Sequence, residues 1–252
     1  MGNSIGIMQP YLFPYIGYFQ LMNAVDRWII FDEAQFIDKG WINRNRILHP
    51  EVCKEWQYIT IPLESRGQFD KICDISIKID IDWRSQILGK LTHYKKKAPF
   101  YKETVAFVRD CFDTDETNIS RLVAEILKKT AEYMCIDTQI EVQSDLKLSI
   151  GGIEHPGDWA LKISEALGAS KYINPFGGLE IFRPDNFSAS GIELSFLKPN
   201  LKPYPQKRNE FVPALSIIDV MMWNSIANIR KILTDDYILL CPKGFPVNGQ
   251  KR

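Results

Sequence analysis

Ile5 to Arg46 reads IGIMQPYLFPYIGYFQLMNAVDRWIIFDEAQFIDKGWINRNR. Its first apolar run, Ile5, Ile7 and Met8, predicts a buried strand. Gln9-Pro10 ends that strand, because the proline nitrogen has no hydrogen for the ladder. A stiff loop with two prolines and two tyrosines follows. Phe19, Leu21, Met22 and Val25 then recur at helical spacing up to Asp26 and Arg27. Trp28-Ile29-Ile30-Phe31 predicts a second buried strand. Strand, helix and strand in so short a space predict a βαβ unit and hence a parallel sheet. Ligands of such sheets bind at the carboxyl ends of the strands. Here those ends carry Gln9 to Tyr18 and Asp32 to Arg46, where polar and aromatic residues are densest.

QPYLFPYIGYFQL, FDEAQF and KGWINRNRI in this stretch resemble the WbqC-like family. The likeness continues downstream through Tyr94 and its lysines, Ala98-Pro99-Phe100-Tyr101, Asn174-Pro175 with Gly177-Gly178, Tyr204-Pro205-Gln206 and Ser216 to Asp219. The resemblance implies a place in surface-polysaccharide, O-antigen-type biosynthesis, as a glycine or other aminoacyl transferase.

The chain has 252 residues, with 45% hydrophobic and 25% charged, the composition of an ordinary globular protein. One α/β domain over residues 1–252 is expected, with residues 82–135 marking a smaller helical lobe. Lysine plus arginine equal aspartate plus glutamate at 31 each, so no global basic field points to bulk nucleic-acid binding. The five cysteines are odd in number and widely spaced, without a CxxC pair. That pattern argues against a disulfide framework or zinc site and for a reducing cytoplasm. No apolar run approaches the ~20 residues of a membrane span.

Further on, Trp56 to Leu63 and Cys73 to Ile81 alternate as strands. The Glu64 to Gly67 turn predicts that they pair as a hairpin inserted into the α/β pattern. A helix is expected from Asp82, as N-cap, to about Lys97. Further helices are expected over 102–112, 118–135, 157–167, 216–223 and 225–233, with strands at 139–142, 171–173 and 192–197. Gly168 has the place of a helix-ending C′ residue. The tail from Pro242 to Arg252 reads as frayed. The whole predicts a mostly parallel, Rossmann-like sheet of the nucleotidylyl-transferase type, flanked by helices.

Three constellations are candidates for chemistry. The first is the loop after the first strand: Gln9, Pro10, Tyr11, Tyr15, Gly17 and Tyr18. Gly17-Tyr18 at a helix start stands where nucleotidylyl-transferase-like enzymes place Gly-His over a phosphate, with tyrosine replacing the histidine; the plainer reading is a rigid, aromatic-packed loop. The second is Asp32, Glu33, Gln35, Lys39, Trp41, Asn43, Arg44 and Arg46, with a carboxylate to take a proton, Lys39, Arg44 and Arg46 as cations for a diphosphate and a ring for a base or sugar. Taken singly, each of these is an ordinary solvated residue. The third is Asn174, Gly177, Gly178, Tyr204, Gln206 and Asp219. Asn174 and the glycine amides suit an oxyanion, and Asp219 sits inside an apolar helix, where burial raises a carboxyl pKa. The plainer reading of Asp219 is a buried, partnered carboxylate. The lysine run after His93 suits a helix C-terminus, with phosphate binding as its functional alternative. The three histidines are not spaced as metal ligands, since HxxxH and HxH are both absent.

With the family resemblance, these residues predict transfer of an aminoacyl group, glycyl among them, to the amine of a nucleotide-linked amino sugar. Asp32 or Asp219 is the expected base, Asn174 the oxyanion donor, and Lys39 with Arg44 the diphosphate clamp. The donor is an activated acyl or amino-acid compound, aminoacyl-tRNA included. The alternatives are an ATP- and Mg²⁺-dependent nucleotidylyl-transferase-like enzyme and a non-catalytic sugar-nucleotide-binding protein.

Overall fold

A computed structural model describes residues 3–242. Its elements in chain order are β1 (Ser4–Met8), α1 (Ile16–Asn23), β2 (Arg27–Ile30), β3 (Arg44–Leu48), β4 (Trp56–Thr60), α2 (Trp83–Leu91), α3 (Tyr101–Phe112), α4 (Ile119–Tyr133), β5 (Gln139–Val142), α5 (Gln143–Leu146), α6 (Asp158–Ala166), β6 (Lys171–Pro175), α7 (Pro184–Ala189), β7 (Glu193–Pro199), α8 (Ile217–Trp223), α9 (Ile226–Asp235) and β8 (Tyr237–Leu240). The main sheet runs β5-β2-β1-β6-β7-β8. All its pairings are parallel except β7 with β8. The expected mixed α/β fold with a mostly parallel sheet is therefore present, and β1–α1–β2 is its first unit.

Strand alternation sorts the side chains into two layers. Trp28 and Ile30 of β2 face the core that holds α1, α4, α8 and α9, while Ile29 faces the core under α6 and α7. Tyr18 of α1 packs edge-on against Trp28 at 4.9 Å between centroids. Helices α2 and α3 enter the first of these cores through Trp83, Ile87, Leu91, Val108 and Phe112. Short polar residues set several helix starts, as their free side-chain oxygens predict. Asp82 accepts from the Ser85 amide at 3.1 Å, and Asn118 from the Arg121 amide at 3.1 Å. Gly168 ends α6 at φ 63°, a conformation that costs a residue without a side chain little.

A separate antiparallel hairpin is present, but its strands are not the expected pair. β4 pairs with β3, Arg44 opposite Thr60 and Leu48 opposite Trp56. Residues 72–74 instead turn as a 3₁₀ helix, and the expected partner contact shrinks to a single bridge, Leu63 with Ile77. Pro62 has no amide hydrogen to extend a ladder, and the Ile77 amide turns away to the Thr117 carbonyl at 2.7 Å. β8 and α7 were not expected, and residues 243–252, which include most of the tail read as frayed, lie outside the described residues. All five cysteines are free. No helix among the described residues is long and apolar enough to cross a membrane.

Candidate functional site

Because β1, β2, β5, β6 and β7 run parallel, their carboxyl ends share one edge. The strand order reverses between β1 and β6, since β2 follows on one side and β6 lies on the other. These two strands pair only at Ser4 with Lys171 and Ile5 with Tyr172, although β1 runs on to Met8 and β6 to Pro175. They part toward their carboxyl ends, which is where doubly wound sheets bind ligands.

Gln9 stands at the β1 side of that parting, half-buried, and its side-chain amide makes no hydrogen bond within the described chain. Its backbone carbonyl accepts from the Tyr18 hydroxyl at 3.0 Å. Pro10 is buried, and Tyr11 lies 5.8 Å from Tyr18, ring to ring. Burial raises the phenol pKa of Tyr11 and Tyr15, with Tyr11 adding to the effect on Tyr15. Tyr15 folds over Gly17: a Cβ there would lie 2.4 Å from the Tyr15 ring. The start of α1 is thus roofed by a tyrosine, and Tyr18 is turned inward onto the Gln9 carbonyl. On the β6 side, Asn174 is 7% exposed. It accepts from the Tyr172 hydroxyl at 2.7 Å and donates to the Pro175 carbonyl at 2.9 Å. Gly178 passes so close that a Cβ would meet the Asn174 amide at 2.3 Å, whereas Gly177 stands in open space.

Residues of the second constellation fold into the turn before β3. The Trp41 carbonyl accepts from the Leu12 amide at 2.9 Å, which ties this turn to the Gln9 loop. Arg44 donates to the carbonyls of Gly40 (3.1 Å) and Lys39 and lies 4.3 Å over the Tyr58 ring. Asn43 exchanges bonds with Ile61, donating from its side chain at 2.8 Å and accepting on its backbone at 2.7 Å. Gln35 donates to the Gln68 carbonyl at 2.7 Å and lines a separate open pocket with Asp38 and Arg66. Lys39 is exposed, at φ 61°. Arg46, expected with Lys39 and Arg44 as a diphosphate cation, lies over both Trp41 and Trp56, at 5.1 and 5.3 Å.

Asp32 is fully enclosed. Its carboxylate accepts from Ser120 Oγ (3.0 Å), the Ser144 amide (3.1 Å) and Ser144 Oγ (2.8 Å), joining β2 to α4 and α5. Asp219, equally enclosed, accepts from the Tyr94 hydroxyl (2.6 Å), the Tyr204 hydroxyl (2.7 Å) and the Gln206 amide (2.9 Å). Burial pushes its carboxyl pKa up against the lowering effect of these hydrogen bonds. The hydroxyls of Tyr94 and Tyr204 are held far above their ordinary range, by burial first and by the Asp219 charge second.

The expected residues therefore divide. Tyr11 and Tyr15 pack with the α1 core after Gln9, and Trp41 is tied to that loop through Leu12, whereas Asn174 and Gly178 follow β6 on the opposite layer, with Tyr172 and Phe182. Tyr204, Gln206 and Asp219 form another group with Tyr94 at the start of α8. Asp32 belongs to a separate, sealed junction. The three carboxylate and amide side chains expected at the reacting atoms, those of Asp32, Asn174 and Asp219, are all engaged inside the fold. The sequence reading missed the serines that hold Asp32 and gave Tyr94 no partner; the seryl residues lie in α4 and α5, over 80 positions away, with no local signal of the contact.

No solved structure matches this chain. It is similar to Rv1507c of Mycobacterium tuberculosis (strain ATCC 25618 / H37Rv), an uncharacterized protein. The two are 25% identical over 220 residues, which are 86% of this chain and 92% of the relative. The model of the WbqC-like protein family matches residues 9–231, from the Gln9 loop through α8 and into α9, and the chain belongs to that family.

Proposed function

We propose that this protein binds a nucleotide-linked amino sugar at the parting of β1 and β6 and transfers an aminoacyl group, glycyl in the simplest case, to the sugar amine. The place is surface-glycan precursor synthesis of the O-antigen type, the role that the family resemblance implies. In the reaction the amine nitrogen bonds to the acyl carbon of an activated donor. The bond from that carbon to its carrier breaks, the amine gives up a proton, and the carrier leaves with the electron pair.

The observation that carries the reading is the early end of β1–β6 pairing beside side-chain polar groups that have no hydrogen-bond partner among the described residues. The free Gln9 amide and the phenols of Tyr11 and Tyr15 make a lining of two rings and a hydrogen-bonding amide. Such a lining suits a sugar or a base: the rings give apolar faces and the amide fixes orientation. Exposed Lys39 supplies the cation for a diphosphate. Asp32, Asn174 and Asp219 brace the surrounding elements in this reading and do not touch the reacting atoms. The nucleotidylyl-transferase alternative draws less support, because Tyr15 covers the helix start where that chemistry would hold a phosphate.

Titration calorimetry with UDP- and dTDP-linked amino sugars tests the binding half. Saturable binding is expected, weakened about tenfold in Gln9→Ala, the worth of one hydrogen bond to a ligand. Mass spectrometry of the sugar after incubation with glycyl donors tests the transfer. Absence of sugar-nucleotide binding overturns the proposal. Binding without transfer from thioester, adenylate or tRNA donors reduces the protein to a sugar-nucleotide-binding partner. Binding of ATP with Mg²⁺ alone turns it toward nucleotidylyl chemistry.

A further inference from the structure

His93 closes the 3₁₀ turn Thr92–Tyr94 that follows α2. Its Nδ1 lies 2.7 Å from the Lys90 carbonyl oxygen. A carbonyl oxygen only accepts, so Nδ1 carries the hydrogen and the neutral ring presents its lone pair at Nε2. Nε2 is buried and has no partner among the described residues. The ring is fixed against Tyr94, with centroids 4.0 Å apart. Burial lowers its pKa, and the neighbouring charges of Lys97, Arg208 and His49 lower it further against the opposing bond to Lys90.

That ring lines a pocket of ≈ 30 Å³ with His49, Lys97, Lys207 and Arg208 among its other walls, and no carboxylate in its lining. Room of this size takes two or three waters at about 10–15 Å³ each, or the oxygens of one tetrahedral ion. His49 Nδ1 accepts from the Glu51 amide at 3.0 Å, so the hydrogen of its neutral ring is on Nε2. Arg208 is held by the carbonyls of His49, Glu51 (3.1 Å) and Lys54 (2.8 Å), which fixes its charge beside the loop that walls the pocket. The pocket thus offers several donors and cations and one acceptor with nothing to accept.

An anion without hydrogen answers the cations and leaves that acceptor facing like charge. An anion that keeps an O–H answers both. We propose that this pocket binds a phosphate group, free or as a monoester, whose O–H donates to His93 Nε2 while its remaining oxygens accept from Lys97, Lys207 and the His49 ring. Sulfate has the same shape and no proton near neutrality, so the site discriminates against it.

The test is a titration of the full chain, with ¹⁵N-labelled histidine, by inorganic phosphate and by sulfate at pH 7. Phosphate is expected to shift the His93 Nε2 resonance saturably and to bind about tenfold more tightly than sulfate, the difference of one charge-assisted hydrogen bond. His93→Asn keeps a donor for the Lys90 carbonyl, and its shorter side chain puts no acceptor at the place of Nε2; phosphate should fall to the affinity of sulfate. Lys97→Ala should weaken both anions alike. Methyl phosphate binding as well as phosphate assigns the site to a monoester, and its exclusion assigns it to the free ion. Equal affinity for sulfate in the wild type, binding without a His93 shift, or no saturable response to either anion overturns the proposal. None of these readouts depends on sugar-nucleotide binding, so the two proposals fail separately.

Discussion

At the end of β2 and at the start of α8 the chain encloses a carboxylate completely and gives it three hydrogen-bond donors. The donors of Asp32 come from α4 and α5, and Asp32 adjoins none of the pockets described above. The donors of Asp219 are themselves pocket walls. Tyr94 and Gln206 line the His93 pocket, and Tyr204 lines an apolar one with Phe211 and Leu215. One carboxylate therefore fastens secondary structure, and the other fastens the shape of two cavities. Burial and hydrogen-bond number are the same in both places; what the donors face on their other side separates them.

The most damaging substitution expected is Asp219→Ala. It strands two buried hydroxyls and an amide, each costing about 1–3 kcal/mol, so a loss of about 4 kcal/mol is expected. The urea midpoint should fall with its slope unchanged, and phosphate affinity at His93 should fall with it. Asp32→Ala should cost about 2–3 kcal/mol, less because the serine hydroxyls can turn to other acceptors. It should leave the His93 titration as in the wild type. If Asp32→Ala disturbs that titration as much as Asp219→Ala does, the distinction between the two carboxylates collapses.

Acidity separates the corner further. Asp219 has its pKa raised above 3.8, with burial the main cause. From 3.8 up to its folded-state value, the native chain holds a proton that the unfolded chain has released. Stability therefore falls as pH rises through that window, by about 1.4 kcal/mol for each unit of pKa difference. His93 has the opposite sign, since its pKa is lowered from 6.5. From the lowered value up to 6.5 the unfolded chain holds more protons, so stability rises with pH there. Subtracting the urea-derived profile of Asp219→Asn from that of the wild type should isolate the falling limb, and His93→Asn should remove the rising one. A wild-type profile that already lacks the falling limb contradicts the burial effect at Asp219.

How much of this was readable beforehand follows from the range of each interaction. Ile5 to Phe31 announced its βαβ unit because apolar period and chain breakers are local, and Asp82 and Gly168 announced helix ends for the same reason. Arg44 to Leu48 hid as a strand because arginine and asparagine alternate there with no apolar period, and its partner β4 was assigned to the wrong neighbour. The clustered polar residues make bonds that their clustering did not announce. Arg44 and Asn174 donate to carbonyls close in the chain, and Asn43 donates to the Ile61 carbonyl beside the end of β4, so all three are tied into the fold. His93 offered the reverse case: one histidine at a helix end, unremarkable in sequence, keeps an unmatched Nε2 only because His49, Lys207 and Arg208 converge from remote segments.

The mildest expected change in stability belongs to Gly17→Ala, on the sheet side of the comparison. Alanine favours helix over glycine by up to about 1 kcal/mol, less this near the start of α1. Its methyl group would stand 2.4 Å from the Tyr15 ring, and the atoms it meets are at the far end of that side chain, which can swing aside. The two effects oppose, so a net change within about 1 kcal/mol is expected. If Tyr15 belongs to the proposed sugar-nucleotide lining, function should respond more than stability, because the methyl group displaces its ring. Sugar-nucleotide affinity should drop while the phosphate titration at His93 stays where it was. The bridge between Tyr15 and Ser216, with the bonds from Ser216 Oγ to the Phe13 carbonyl and from the Ile217 amide to the Pro14 carbonyl, both 2.8 Å, joins the loop after β1 to the α8 corner. If Gly17→Ala moves the His93 resonance, that bridge couples the two regions, and they are to be treated as one site.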